Sequence, residues 1–420
     1  MKLKHKAKNI ILALALAFNA CSSQQETQQM AEDSGVARPL TIIAIGDAGE
    51  SGRVLKSNAS YITDMYTGAH DGGKFDAMIF LGDNFYNTGL NIPADDVEGE
   101  IKSILGRFKT PFEGLGRRNV HAITGNHDYY ARNVVDVSFF FGLIDIETAP
   151  VGLTSKGNRR EADIVYWTYY YSMPADAFYQ LSPGSRDSVQ FIFVDSALPL
   201  RTPPQSWSLA LDSLRTLLAA TRGRPGIMWR ILVMHHPIYS VGQHGGYTEW
   251  NDETKTIEYL TTCDKDSNAV GWLKNWFDPE DLCTEKYQQY LDSLRSVITA
   301  SQVRIQLALT GHDHSLQVLY YPDRDADCVG CPKVHVISGA GSIATRVKFP
   351  SPPFEFTSAQ RNPKEEGESL SGFAQLRFEH ERLRIVFYDG CRGELIDMGD
   401  GRKEFWIDVT GKLLNGSTDG

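Results

Sequence analysis

The chain has 420 residues, 42% of them hydrophobic, enough to bury a substantial core in one large or two ordinary domains. Against 42 Lys and Arg stand 52 Asp and Glu, and the resulting formal charge of −10 argues against a nucleic-acid groove or a polybasic lipid-binding surface. No internal repeat is apparent.

In chain order, the N-terminus reads as an address before it reads as structure. Lys2, Lys4, Lys6 and Lys8 precede the apolar run IILALALAFNA, which is too short to span a bilayer and has the layout of a secretory signal. Cys21 follows at once. The junction FNACSS resembles a bacterial lipoprotein signal, in which the cysteine is acylated and becomes the mature N-terminus, although Phe18 stands where leucine is usual. Residues 1–20 are therefore expected to be a signal peptide, and residues 21–38, rich in Gln, Ser and Glu, a flexible tether. The expected location is outside the cytoplasm, lipid-anchored to a bacterial membrane through Cys21.

Five later stretches each run a β-branched or aromatic segment into a cluster of metal-binding residues. They are TIIAIGD at Asp47, FDAMIFLGDNFY at Asp83 and Tyr86, VHAITGNHD at Asn126 and His127, ILVMHH at His235, and IQLALTGHDH at His312 and His314. Such runs read as buried strands of a largely parallel sheet, whose C-terminal loops gather side chains from distant parts of the chain. An isolated Asp after a strand is often only a helix cap; five blocks in succession make one site. Together they offer carboxylates, a phenol, an amide oxygen and imidazoles without a thiolate, a set suited to iron, manganese or zinc. With His127 of GNHD not counted as a ligand, the remaining seven side chains are too many for one tetrahedral ion and suit two ions about 3.5–4 Å apart. His236 adjoins His235 at a strand end, where alternation predicts that the two rings point in opposite directions.

Between and beyond these blocks the sequence is less explicit. FVDS at 193–196 ends a sixth apolar run, and its Asp195 fits either a partner of the site or a cap on the following turn. Cys263 and Cys283 bracket a polar insertion over about 248–286 and, in an exported protein, are expected to pair. Cys328 and Cys331, followed by Pro332 and a strand-like KVHVI, fit a small loop-closing disulfide better than a redox or zinc site. Cys391 is then left over, expected to be buried and inert. The Pro- and charge-rich stretch 348–368 reads as a long surface loop, and 401–420 as a C-terminal tail.

The blocks GDAG at 46–49, LGDNFYNTG at 81–89, GNHD at 125–128, MHHP at 234–237 and GHDHSLQ at 311–317 resemble those of the metallophosphoesterases. More narrowly, they resemble the small purple acid phosphatases of the tartrate-resistant type. Weaker echoes at SGAG, 338–341, and GFAQL, 372–376, extend the resemblance over roughly residues 40–390. Most of the superfamily has an Asp-x-His first block. Here Asp47 is followed by Ala48 and Gly49, and Tyr86 stands where purple acid phosphatases place a tyrosine ligand.

The resemblance implies an α/β fold of two packed mixed β-sheets flanked by helices, forming one catalytic domain over 39–400. It implies that Asp47, Asp83, Tyr86 and His314 bind iron(III), that Asp83 bridges, and that Asn126, His235 and His312 complete a site for divalent iron, zinc or manganese. A phenolate ligand suits a trivalent ion, because the phenol's ordinary pKa lies near 10. The metal charge would draw an anionic phosphoryl group, and the implied reaction is in-line attack by a metal-bound hydroxide. His127, and His244 in QHGGYTEW, are the candidate catalytic residues, each able to act as general acid or to hold a phosphate oxygen. The expectation is thus a phosphomonoesterase acting on a small phosphate ester. A phosphodiesterase or nucleotide hydrolase on the same metals is the enzymatic alternative, and a non-catalytic phosphate- or partner-binding surface lipoprotein is the other.

Overall fold

The computed structural model describes residues 38–69, 73–86, 89, 97–129, 175–201, 203–245, 249–251, 256–258, 280–282, 284–323, 326–347, 354–359 and 369–414. Cys21, the tether and the Cys263–Cys283 pair lie outside them. The strands are β1 (Leu40–Ile45), β2 (Ala77–Phe80), β3 (Val120–Ala122), β4 (Asp176–Gln180), β5 (Ser188–Val194), β6 (Ile227–Met234), β7 (Glu249–Asn251), β8 (Thr256–Glu258) and β9 (Leu307–Thr310). They continue with β10 (Leu316–Tyr320), β11 (Val334–Ser338), β12 (Glu355–Thr357), β13 (Phe373–Glu379), β14 (Arg382–Asp389), β15 (Glu394–Leu395), β16 (Glu404–Asp408) and β17 (Leu413–Leu414). The helices are α1 (Arg53–Thr67), α2 (Val97–Ile104), α3 (Lys109–Leu115), α4 (Ala197–Arg201), α5 (Trp207–Thr221) and α6 (Glu285–Ser301).

Two mixed sheets result. One runs β17-β16-β14-β13-β1-β2-β3 with β15 against β14, and the other runs β12-β10-β11-β9-β6-β5-β4. β1, β2 and β3 are mutually parallel, as are β5, β6, β9 and β11, whereas the outer strands pair antiparallel. Strand alternation explains the layering. In β1, Ile42 and Ala44 enter the core between the sheets with Val233, Leu309 and Val336, while Ile43 and Ile45 join Leu55, Ile62 and Met65 of α1 on the outer face. On the opposite outer face, Ile192 and Leu232 pack with Leu214 and Leu218 of α5 and Leu291 and Ile298 of α6. Both faces of each central strand are thus apolar, which accounts for the near-continuous hydrophobic runs in the sequence.

Three expectations need correction. Residues 404–414 are not a tail: β16 pairs with β14, and Phe405 and Ile407 are buried in the inter-sheet core. The stretch expected to be a long surface loop contains β12, which pairs with β10 and buries Phe356. Cys391 is exposed, since it follows the end of β14 in a turn where its amide donates to Asp389. Cys328 and Cys331 do form a disulfide.

Candidate metal centre

The five blocks lie just past the C-terminal ends of β1, β2, β3, β6 and β9, three on one sheet and two on the other. The loops are tied to one another through their backbones. Gly46 N donates to Ser338 O and Asp47 N to Gly82 O, and Gly311 N donates to His235 O (2.7, 3.0 and 3.0 Å). Gly341 N also donates to Gly46 O at 3.0 Å, so the SGAG segment braces the first block. Asp47, Asp83 and His312 hold left-handed backbone conformations, with φ of 53°, 52° and 66°. Such a conformation strains a residue with a Cβ by an amount of order 1 kcal/mol.

Four of the expected ligands surround one point. The Tyr86 hydroxyl lies 2.9 Å from Asp47 Oδ1, from Asp83 Oδ2 and from His314 Nε2. A phenol has one proton and can satisfy only one of two carboxylates, so the cluster holds more acceptors than hydrogens. A cation fits such a set. Burial first, then the charges of Asp47 and Asp83, hold the Tyr86 phenol well above its ordinary value, so only a strong positive charge would ionise it here.

The other three gather around Asn126. Its Oδ1 lies 2.9 Å from His235 Nε2 and 3.2 Å from His312 Nδ1. His235 Nδ1 donates to Leu81 O at 2.7 Å and His312 Nε2 meets Glu280 O at 3.2 Å, which turns the opposite ring nitrogens, His235 Nε2 and His312 Nδ1, toward the Asn126 oxygen. Asp83 spans both halves, with Oδ2 on Tyr86 and Oδ1 at 3.5 Å from His235 Nε2. Burial works against ionisation of Asp83, but His235 and His127 outweigh it and hold the carboxyl well below the usual range. Burial first, then the nearby histidines, push His312 well below its ordinary value, so it is neutral and able to ligate.

The remaining expected residues stand at the rim. His127 begins a short 3₁₀ turn, donates its amide to Asp83 Oδ1 at 2.9 Å and sets its ring 4.4 Å from that of Tyr86. The ring of His244 lies 4.1 Å from that of His312, and its Nδ1 meets Asp281 Oδ1 at 2.7 Å. Burial disfavours the charged ring of His244, but Asp281 and Asp313 overcome this and raise its pKa to about 9. His236 departs from expectation. β6 ends at Met234, alternation stops there, and the His235 and His236 rings lie only 4.9 Å apart. His235, His236 and His312 consequently bring donor atoms within 4.8 Å of one another.

Asp195 caps α4 by accepting from Ala197 N and Leu198 N at 2.9 and 3.1 Å. Sequence reasoning gave no role to Asp128, Asp313, Glu280 or Asp281. Asp128 accepts from Gly125 N, Asn84 N, Asn84 Nδ2 and Phe85 N, locking the second block to the third. Asp313 accepts from Ser240 and from His244 N, which holds the His244 loop. Both were visible inside GNHD and GHDH. Glu280 and Asp281 sit in a polar segment without periodicity and carried no signal.

Residues 40–316 match the family described as calcineurin-like phosphoesterase. Purple acid phosphatase 17 of Arabidopsis thaliana is 25% identical over 389 residues, covering 91% of this chain and 90% of that protein. Purple acid phosphatase 3 of the same plant is 23% identical over 394 residues, covering 92% and 85%. Among solved structures, a dimetal phosphatase from Danio rerio overlaps 89% of this chain and 99% of its own at 11% identity, with a TM-score of 0.43. The family match spans well over half of the chain and takes in four of the five blocks and both histidines of the fifth. The chain belongs to the calcineurin-like metallophosphoesterase family, hydrolases of phosphoric esters.

Proposed function

We propose that the protein is a dimetal phosphomonoesterase of the purple acid phosphatase kind. In this reading Asp47, Asp83, Tyr86 and His314 hold iron(III), and Asp83, Asn126, His235 and His312 hold a divalent iron, zinc or manganese. The observation that carries it is the Tyr86 hydroxyl, 2.9 Å from two carboxylates and an imidazole. When bound, such a pair supplies charge for the phosphoryl oxygens and acidifies water enough to provide a nucleophile below neutral pH. The protein's own groups do the rest. His244, charged through Asp281, holds a phosphate oxygen, and His127, partly exposed beside the Tyr86 ring, delivers a proton to the leaving alkoxide. The assembled donor set and the two rim histidines weigh against a non-catalytic role.

Metal analysis and turnover of a panel of phosphate mono- and diesters test this directly. Purified, oxidised protein should contain iron, absorb in the visible through phenolate-to-iron charge transfer, and prefer monoesters. Tyr86→Phe should bleach the band and weaken iron binding. Colourless protein with full activity and only zinc or manganese would exclude the purple-type centre, and a preference for diesters would favour the diesterase reading.

We also propose that the enzyme is exported and anchored through acylated Cys21. Identical processing and membrane partitioning of Cys21→Ala would overturn that.

A further inference from the structure

Glu280 is buried, lies outside every motif block, and touches the divalent half of the site twice. Its backbone oxygen accepts from His312 Nε2 at 3.2 Å, and its Oε2 accepts from Asn126 Nδ2 at 2.7 Å. Its other oxygen, Oε1, forms an ion pair with Arg201 at the end of α4. The chemistry of these contacts is directional. A carboxylate only accepts, so the NH2 end of the Asn126 amide must face Glu280, and the oxygen end must face His235 and His312. An amide without that constraint could also present its NH2 to the same space, where it repels a cation.

We propose that Glu280 is a positioning residue that selects which end of the Asn126 amide faces the divalent ion. The proposal rests on the reading of Asn126 as a ligand. It makes a counterintuitive prediction for Glu280→Gln. Arg201 can only donate, so it captures the oxygen of the new amide and turns the glutamine NH2 toward Asn126. Asn126 must then flip to accept, which puts its own NH2 where the ion belongs.

The test strips the divalent ion from iron-loaded protein with a chelator, re-adds zinc alone, and follows zinc retention by elemental analysis with the visible band as a monitor of the iron half. Glu280→Gln should weaken zinc binding about 10- to 100-fold, the usual scale for groups behind a ligand, with the band intact. Asn126→Asp should also weaken it despite adding a negative charge, because two carboxylates then face each other. The double variant Asn126→Asp/Glu280→Gln should recover binding to within a few-fold of the unsubstituted protein, since aspartate accepts from the glutamine NH2 and gives its second oxygen to zinc.

A purely structural role would not be rescued in this way. Zinc binding by Glu280→Gln equal to that of the unsubstituted protein, or a double variant no better than Asn126→Asp, would overturn the proposal. If Glu280→Gln does not fold, the comparison of Asn126→Asp with the double variant still decides. Unsubstituted protein that takes up none of zinc, iron(II) or manganese(II) would bring down the dimetal reading itself, a failure seen before any substitution is made.

Discussion

The Tyr86 hydroxyl and the Asn126 amide are the two points around which the proposed ligands assemble, and the His127 ring sits against the first. This placement separates binding from chemistry. His127→Ala should leave metal content near that of the unsubstituted protein and lower kcat on an alkyl phosphate by about 10²–10⁴-fold, the scale for loss of a general acid. A nitrophenyl phosphate, whose leaving group needs no proton, should be affected far less. Equal losses on both substrates would mean that the ring only holds phosphate. The clustering of these donor side chains was legible in the sequence because each follows a β-branched run, most of them just after the Gly that ends it. Glu280 and Arg201 were not, because a buried ion pair formed across 79 residues leaves no local pattern in either segment.

At the scale of the loop, the first block explains its own departure from the superfamily. A Cβ at Gly49 would lie 2.5 Å from Phe85 N and 2.7 Å from Asp83 O, and Tyr86 N donates to Gly49 O at 3.1 Å. The glycine is therefore where the first loop lies flat against the second, leaving no room for a side chain at position 49, and the donor proposed in its stead comes from the second block, at Tyr86. Gly49→Ala must push the Asp83–Tyr86 segment away, at a cost of about 1–3 kcal/mol. Its expected signature is a lower melting temperature together with a weaker iron–phenolate band. A variant with unchanged band and melting temperature would refute the close packing. Strand ends were readable here, but what happens one residue later was not. His236 was assigned by alternation, which fails once β6 ends at Met234. β12 and β16 were missed because three- and five-residue strands in polar surroundings have too short a period to stand out.

For the whole molecule, the two sheets and their helices build a core that is largely apolar but also encloses buried titratable groups. His121 in β3 is one. It is 2% exposed, its Nε2 lies 2.5 Å from the Tyr179 hydroxyl, and burial lowers its pKa from 6.5 to about 4. Between those values the unfolded chain binds the proton more readily than the folded one, so stability falls as pH drops from about 6.5 and levels off below about 4. The full penalty is roughly 3 kcal/mol. Urea unfolding at pH 7 and pH 4 should show the unsubstituted protein losing more stability than His121→Gln by about that amount. Parallel losses would remove His121 as the cause. The existence of two sheets followed from the family resemblance, but their strand order did not. β13 pairs with β1, Leu40 opposite Phe378, and no local pattern announces a partner so far along the chain.

The left-handed backbone at Asp47, Asp83 and His312 bears on how such a protein changes over generations. At each position glycine would relax the backbone while deleting a side chain of the proposed centre, so mutations that would abolish the proposed catalysis would also relieve strain. A lineage selected only for abundance, or a laboratory library screened only for expression, would be drawn toward losing these three side chains first. The fold would survive as a phosphoesterase shell without its chemistry. Only a continued demand for turnover would hold them in place.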